Sequence, residues 1–199
     1  MTLVIEPENT DCRSRLIRAA TEIFVQEGYR ASIDRVAARA GVARQTLYNH
    51  FTTKADLFGE VVRQSTASLL FSLDDEGLAL RERLLRFGIE YRGRVLSSEG
   101  LGFFRALAAE SIRFPELAAA FYRNGAVQTA ACLGKILEAA MLRGELRRDE
   151  PEFATNMLLS MLVGTDRSRY LFSGELSPEI NSAHVGRIID CFLCAYAPL

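Results

Sequence analysis

Eight of the polar side chains within positions 44 to 54 stand out: Arg44, Gln45, Thr46, Tyr48, Asn49, His50, Thr53 and Lys54. Their types suit the edges and backbone of double-stranded DNA. Arginine bonds guanine through two parallel N–H groups, and asparagine or glutamine can bond adenine in the same two-point way. Tyr48, Thr53 and Lys54 suit phosphates, the last two at a helix N-terminus whose free amides also attract anions. The competing reading is a polar helix face that is simply solvated.

Other chemistries find less support. Cys12, Cys132, Cys191 and Cys194 are too scattered for a disulfide scaffold. Cys191-x-x-Cys194 has a redox spacing, but it falls mid-helix among Phe192, Leu193 and Ala195 with no preceding strand. Buried, inert thiols are therefore expected. His50 and His184 offer no zinc-binding spacing. No Ser-His-Asp pattern, phosphate loop or dinucleotide fingerprint occurs. Neither catalysis nor a bound metal or cofactor is expected.

The elements that must position the eight side chains are helices, since strand signals are almost absent. Leu16, Ala20, Ile23, Phe24 and Glu27 fall at helical spacing, Ile17 widens the apolar face, and Gly28 suits a left-handed C-cap. Ser32 is a candidate N-cap for a helix through Ile33, Val36, Ala37 and Ala40, ended by Gly41. A helix over 44–50 turns Leu47 and Phe51 inward, and Thr53-x-x-Asp56 forms a capping box for a longer helix running toward Leu73. Two short helices joined by a tight glycine turn make the helix-turn-helix pattern, whose second member fits a major groove. Ser32, at the start of the first, completes the candidate DNA-contact set.

Beyond 74–77 the spacing predicts helices over 79–96, 102–113, 115–143 (kinked or split at Asn124-Gly125), 151–172 and about 180–196. Gly144 to Glu150 forms a charged loop, and Ser177-Pro178 introduces the last helix. The chain reads as all-α, with about nine helices. A helix-turn-helix domain spans 12–58, and a ligand-binding and dimerisation bundle spans 59–199.

The 199 residues hold 24 Lys+Arg against 25 Asp+Glu, a sum that by itself argues against a nucleic-acid partner. The sum conceals a division. Residues 12–63 hold nine basic and five acidic groups, while 64–199 hold fifteen and seventeen. No apolar run is long enough to span a membrane and the N-terminus carries no signal-peptide pattern, so a cytoplasmic location is expected.

Gly28-Tyr29, Ser32-Ile33-Asp34-Arg35-Val36-Ala37, Ala40-Gly41-Val42-Ala43, Thr46-Leu47-Tyr48-Asn49-His50-Phe51 and Lys54-Ala55-Asp56-Leu57-Phe58, in this order, resemble the TetR/AcrR family of bacterial transcription regulators. A looser likeness to the ligand-binding half of a TetR subgroup runs through Phe103 to Glu110, Arg113 to Leu117, Gly144 to Leu146 and Glu150 to Glu152. The resemblance implies an all-helical, homodimeric repressor whose C-terminal half binds a small molecule that releases DNA. By position, Arg44, Gln45, Thr46, Tyr48, Asn49 and His50 lie on its recognition helix, and Lys54 matches the lysine that starts helix four. Ala43 departs from the family's usual capping serine or threonine, and Gln45 from a usual small residue.

The helices near Phe153–Leu162 and Ile180–Tyr196 are apolar nearly all round and so must be buried on every side. A two-fold homodimer through these last two helices is expected, with a monomer holding two central helices as the alternative. Phe71, Phe87, Tyr91, Phe103, Phe104, Leu107, Phe121, Met157 and Met161 take plausible inward positions. Such a set is more often ordinary core than a ligand box. A pocket there would favour an apolar or aromatic effector, with Gln128, Asn156 or Arg105 as polar anchors. Binding would move the helix beginning at Lys54 and shift the spacing of the recognition helices. A thiol-switched regulator and a helical enzyme or interaction module remain as alternatives.

Overall fold

The computed structural model describes residues 7–173 and 182–198. The expectations for Ser177-Pro178 and for Ile180 lie outside these. Every element among the described residues is helical: α1 (Pro7–Glu27), α2 (Ile33–Ala40), α3 (Arg44–His50), α4 (Lys54–Leu70), α5 (Leu80–Leu96), α6 (Ser98–Glu110), α7 (Pro115–Phe121), α8 (Gln128–Leu142), α9 (Pro151–Val163), α10 (Asp166–Ser173) and α11 (Ser182–Ala195). A π turn, Tyr122–Val127, joins α7 to α8. With those two taken as one rod and α9–α10 as another broken at Gly164, the described residues carry the nine helices expected.

Two boundaries differ from expectation, each for a local reason. Helix α6 begins at Ser98 rather than near Gly102, because the Ser97 hydroxyl accepts from the amide of Gly100 at 3.0 Å and starts the helix early. The rod from Pro151 breaks at Gly164, which takes φ +50°, a conformation that ends α9 and lets Asp166 open α10. At the expected irregularity, the Asn124 side-chain amide donates to Ala120 O at 2.8 Å beside the π turn.

The helices pack as two compact units: residues up to Ser65 with Phe103–Asn124, and Thr66–Gly102 with Gly125 onward. Residues 103–124 thus cut across a contiguous division at 58/59. In the first unit Leu16, Ile17, Ala20 and Phe24 of α1 meet Val36 and Ala37 of α2, Leu47 of α3 and Leu57 and Phe58 of α4. Phe24 meets Phe58 edge-on at 5.6 Å, and Phe58 stacks on Phe103 at 5.6 Å.

In the second unit Leu84 and Phe87 of α5, Leu133 and Leu137 of α8, Leu158 and Leu162 of α9, and Val185, Ile189 and Phe192 of α11 form the core. Arg83, only 6% exposed, turns Nε and Nη2 onto the carbonyl of Leu73, with Nε at 2.9 Å. Arg147 donates its backbone amide to Tyr196 O at 2.9 Å and lays its guanidinium 4.8 Å from the Tyr196 ring centre. No helix among the described residues is long and apolar enough to cross a membrane.

Within one chain the last helices bury one face only, and the all-round burial expected of them requires a second copy on the other. Val185, Gly186, Ile189 and Phe192 face inward from α11, at a spacing that leaves His184, Arg187, Asp190, Cys191 and Cys194 exposed. Cys191 and Cys194, expected as buried thiols, are exposed in the single chain. On α9, Ala154, Leu158 and Leu162 are buried while Phe153 is 57% exposed. Apolar composition alone did not separate these faces.

An added Cβ on Gly88 would stand 2.9 Å from Val185 Cγ1 and 3.0 Å from Leu162 Cδ2, whereas at Gly102 it would meet nothing within 4 Å. Gly88→Val should cost about 1–3 kcal/mol by overpacking. Gly102→Ala should add about 0.5–1 kcal/mol by removing a helix-interior glycine. Thermal unfolding followed by circular dichroism checks both, and a Gly88→Val melt at or above wild type would refute the close packing.

Candidate nucleic-acid interface

The interface is built on the turn between α2 and α3. Ser32 Oγ accepts from the Arg35 amide at 3.2 Å, starting α2. Gly41 closes the helix at φ +68°; its amide reaches Ala38 O at 3.1 Å, and that of Val42 reaches Ala37 O at 3.0 Å. From α1, the Arg15 guanidinium donates to Ala40 O at 2.5 Å and Gly41 O at 3.2 Å, meeting the negative end of the α2 dipole. Sequence reasoning missed Arg15, because its partners lie on another helix and their spacing carries no periodic signal.

Helix α3 follows from Ala43, which has extended geometry (φ −69°, ψ 149°) but no side chain able to cap. Leu47, fully buried, and Phe51, 4% exposed, hold α3 to the core. The opposite face carries the expected polar set: Arg44, Gln45, Tyr48 and Asn49 are exposed, while Thr46 and His50 are half-buried. Gln45 Nε2 donates to Asn49 Oδ1 at 3.2 Å, one helical turn away. Arg44 stands 5.6 Å from the Tyr48 ring centre, and its Nη1 is 3.1 Å from each carboxylate oxygen of Asp34 on α2.

Thr53 and Asp56 form the expected capping box. Thr53 N donates to Asp56 Oδ2 at 2.9 Å, and Asp56 N to Thr53 Oγ1 at 3.0 Å. These two amides are thereby satisfied within the chain. Lys54 is half-buried, and this burial lowers its amine below the ordinary value. Lys54 lines a groove of about 610 Å³ with Glu60, Glu116, Arg123 and Asn124. Glu60 receives Arg63 at 2.5 Å and Arg13 of α1 at 3.2 Å. The hydrogen bond from Arg63, aided by Arg13 and opposed by burial, lowers the Glu60 carboxyl from 4.5 to about 2.

The candidate effector residues do not form one cluster within either unit. Phe103, Phe104, Leu107 and Phe121 belong to the first, where Leu107 is buried in the core and Phe103 and Phe121, 5.5 Å apart, pack against it. Phe87 is fully buried in the second unit and stacks on half-buried Tyr91 at 5.5 Å. Met157 and Met161 are partly buried there. Phe71, expected inward, is 79% exposed, because it sits in the 3-10 turn after α4, where the helical spacing has lapsed. Gln128, Asn156 and Arg105, offered as polar anchors, are exposed.

A capped helix, a glycine turn and a short second helix presenting groove-reading side chains define a helix-turn-helix DNA-binding protein. Comparison with known proteins agrees. Residues 16–61 match the model for bacterial regulatory proteins of the tetR family, and residues 82–198 match that for the C-terminal domain of AefR-like transcriptional repressors. The chain belongs to the TetR family of transcriptional regulators. It is 26% identical over 182 residues to the HTH-type transcriptional activator FasR of Mycolicibacterium smegmatis, spanning 88% of this chain and 79% of FasR. A TetR-family regulator from Mesorhizobium loti superposes with a TM-score of 0.77 at 26% identity, covering 96% of this chain and 100% of that one. The flavonoid-responsive regulator FrrA gives 0.71 at 30% identity, covering 94% of this chain and 97% of that one. The proteins matched are regulators of transcription rather than enzymes.

Ala43→Ser should stabilise the protein by about 0.5–1 kcal/mol, since the backbone already has N-cap geometry and a hydroxyl would satisfy a first-turn amide. Denaturant unfolding checks this; no gain would argue against an N-cap role for position 43. Because Glu60 titrates lower when folded, its contribution is complete above pH 4.5 and lost as the pH falls toward 2. Glu60→Gln should therefore flatten the acid limb of a stability-versus-pH curve in that window.

Proposed function

We propose that this chain is a repressor that binds a two-fold symmetric DNA site as a homodimer and is released by a small, mostly apolar ligand. The observation that carries the DNA reading is the exposed face of α3: Arg44, Gln45, Tyr48 and Asn49 point away from a core that Leu47 and Phe51 enter. Thr46, His50, Thr53, Lys54 and Ser32 complete the contact set, within a reader spanning 12–58.

The dimer reading draws support from apolar side chains left uncovered in the second unit. Leu142 is 69% exposed, Phe153 57% and Phe172 85%. A second copy packed along the last two helices, the α9–α10 rod and α11, would cover Phe153 and Phe172 on that rod. Two-fold symmetry would set the recognition helices at half-sites roughly 34–36 Å apart. The effector reading draws support from FrrA, which is flavonoid-responsive. A ligand releases DNA only if it binds the two helix spacings with different affinity. A thiol-controlled variant of this function is favoured by one observation, the exposure of Cys191 and Cys194. Oxidant-driven DNA release that survives replacement of all four cysteines by serine would eliminate it.

The test is selection of a DNA site from genomic fragments, followed by fluorescence-anisotropy titration across salt concentrations. Lys54→Ala and Tyr48→Ala should weaken binding to every sequence, with the Lys54 change reducing the salt slope by about 1. Changes at Arg44 or Gln45 should alter sequence preference. An unchanged affinity and salt slope for Lys54→Ala would remove the phosphate assignment. Sedimentation as a monomer at micromolar concentration would remove the dimer.

A further inference from the structure

Three surface pairs of the first unit link an arginine of α2 or α3 to an acid on another helix, and they divide by what they hold. Arg35 with Glu27 (2.5 Å) and Arg39 with Glu22 (2.6 Å) fasten α2 to α1. The third joins Asp34 of α2 to Arg44, a side chain of the candidate reading face. Both members stand in solvent, Arg44 61% and Asp34 60% exposed. A pair so exposed adds little to stability, so its consequence is geometric.

We infer that Asp34 is a specificity-determining positioning residue, bracing Arg44 so that its Nε–Nη2 edge meets a guanine in the DNA site. This rests on the reading that α3 enters the major groove. Both Asp34 oxygens lie 3.1 Å from Nη1, so the carboxylate occupies that nitrogen alone. Nε and Nη2 carry no bond to Asp34; they lie on one edge and point in parallel, the two-point donor pattern that guanine O6 and N7 accept. The Tyr48 ring, 5.6 Å from the guanidinium carbon, supports the group from one side. A long arginine side chain otherwise surrenders its rotamer freedom on binding, and bracing it in the free protein removes much of that loss. Asp34 also repels phosphate. An unbraced Arg44 could swing to the DNA backbone, where it would add affinity without reading sequence.

The experiment compares wild type, Asp34→Asn, Asp34→Glu, Arg44→Ala and the double variant Asp34→Asn/Arg44→Ala. Each is titrated against the selected DNA site and against copies with each guanine replaced in turn. Wild type should lose about tenfold or more in affinity when one particular guanine is replaced, and Arg44→Ala should abolish that dependence. Asp34→Asn should lose most of the same discrimination while binding unrelated DNA more tightly at low salt. Asp34→Glu should restore part of it, and the double variant should lose no more discrimination than Arg44→Ala. The inference is overturned if Asp34→Asn keeps the full guanine dependence, or tightens all sequences equally with discrimination intact. Failure of wild type to select any site would overturn the DNA reading itself, and this inference with it.

Discussion

Leu47 is the only residue of α3 whose side chain is buried, and that burial is complete. A helix of seven residues has too few internal hydrogen bonds to persist alone in water. Its position comes from Leu47 entering the core, from Phe51 just beyond its end, and from the left-handed turn at Gly41 that aims it. Once Leu47 points inward, the 3.6-residue period turns Arg44, Gln45, Tyr48 and Asn49 outward. The reading surface is thus the complement of a single hydrophobic anchor. The packing of α1, α2 and α4 forms the socket for it.

Electrostatics in the first unit follows a similar economy. Of the five acids within 12–63, Glu22, Glu27, Asp34 and Glu60 pair with arginines, and Asp56 serves the capping box. Each negative charge is therefore held in a defined place. The segment keeps a local basic excess, nine basic groups against these five acids. The near-neutral composition of the whole chain is compatible with DNA binding for this reason.

Elements set by short-range chemistry could be read from the sequence alone. The Ser32 cap, the Gly41 turn, the limits of α3 and the Thr53–Asp56 box depend on residues within four positions of one another. What needed three dimensions was of two kinds. One was the choice of face on apolar helices, where spacing put Phe71 inside and the structure puts it outside, and where the single chain leaves Cys191 and Cys194 uncovered. The other was partnership between helices: Arg15 on the carbonyls that end α2, and Asp34 on Arg44, have no periodic signature. The effector residues were the least readable, because helical spacing selects core and pocket alike, and Phe103, Leu107 and Phe121 turned out to pack in or against the first unit's core.

The uncapped start of α3 leaves the order of its first residues to side-chain contacts. Ala43 supplies no side-chain oxygen to the first turn. The Asp34–Arg44 pair instead ties the first residue of α3 back to α2. Helix ends are where fraying is easiest, and a turn tied in this way would meet DNA with its order already in place. Base contacts made from it would then carry little ordering cost.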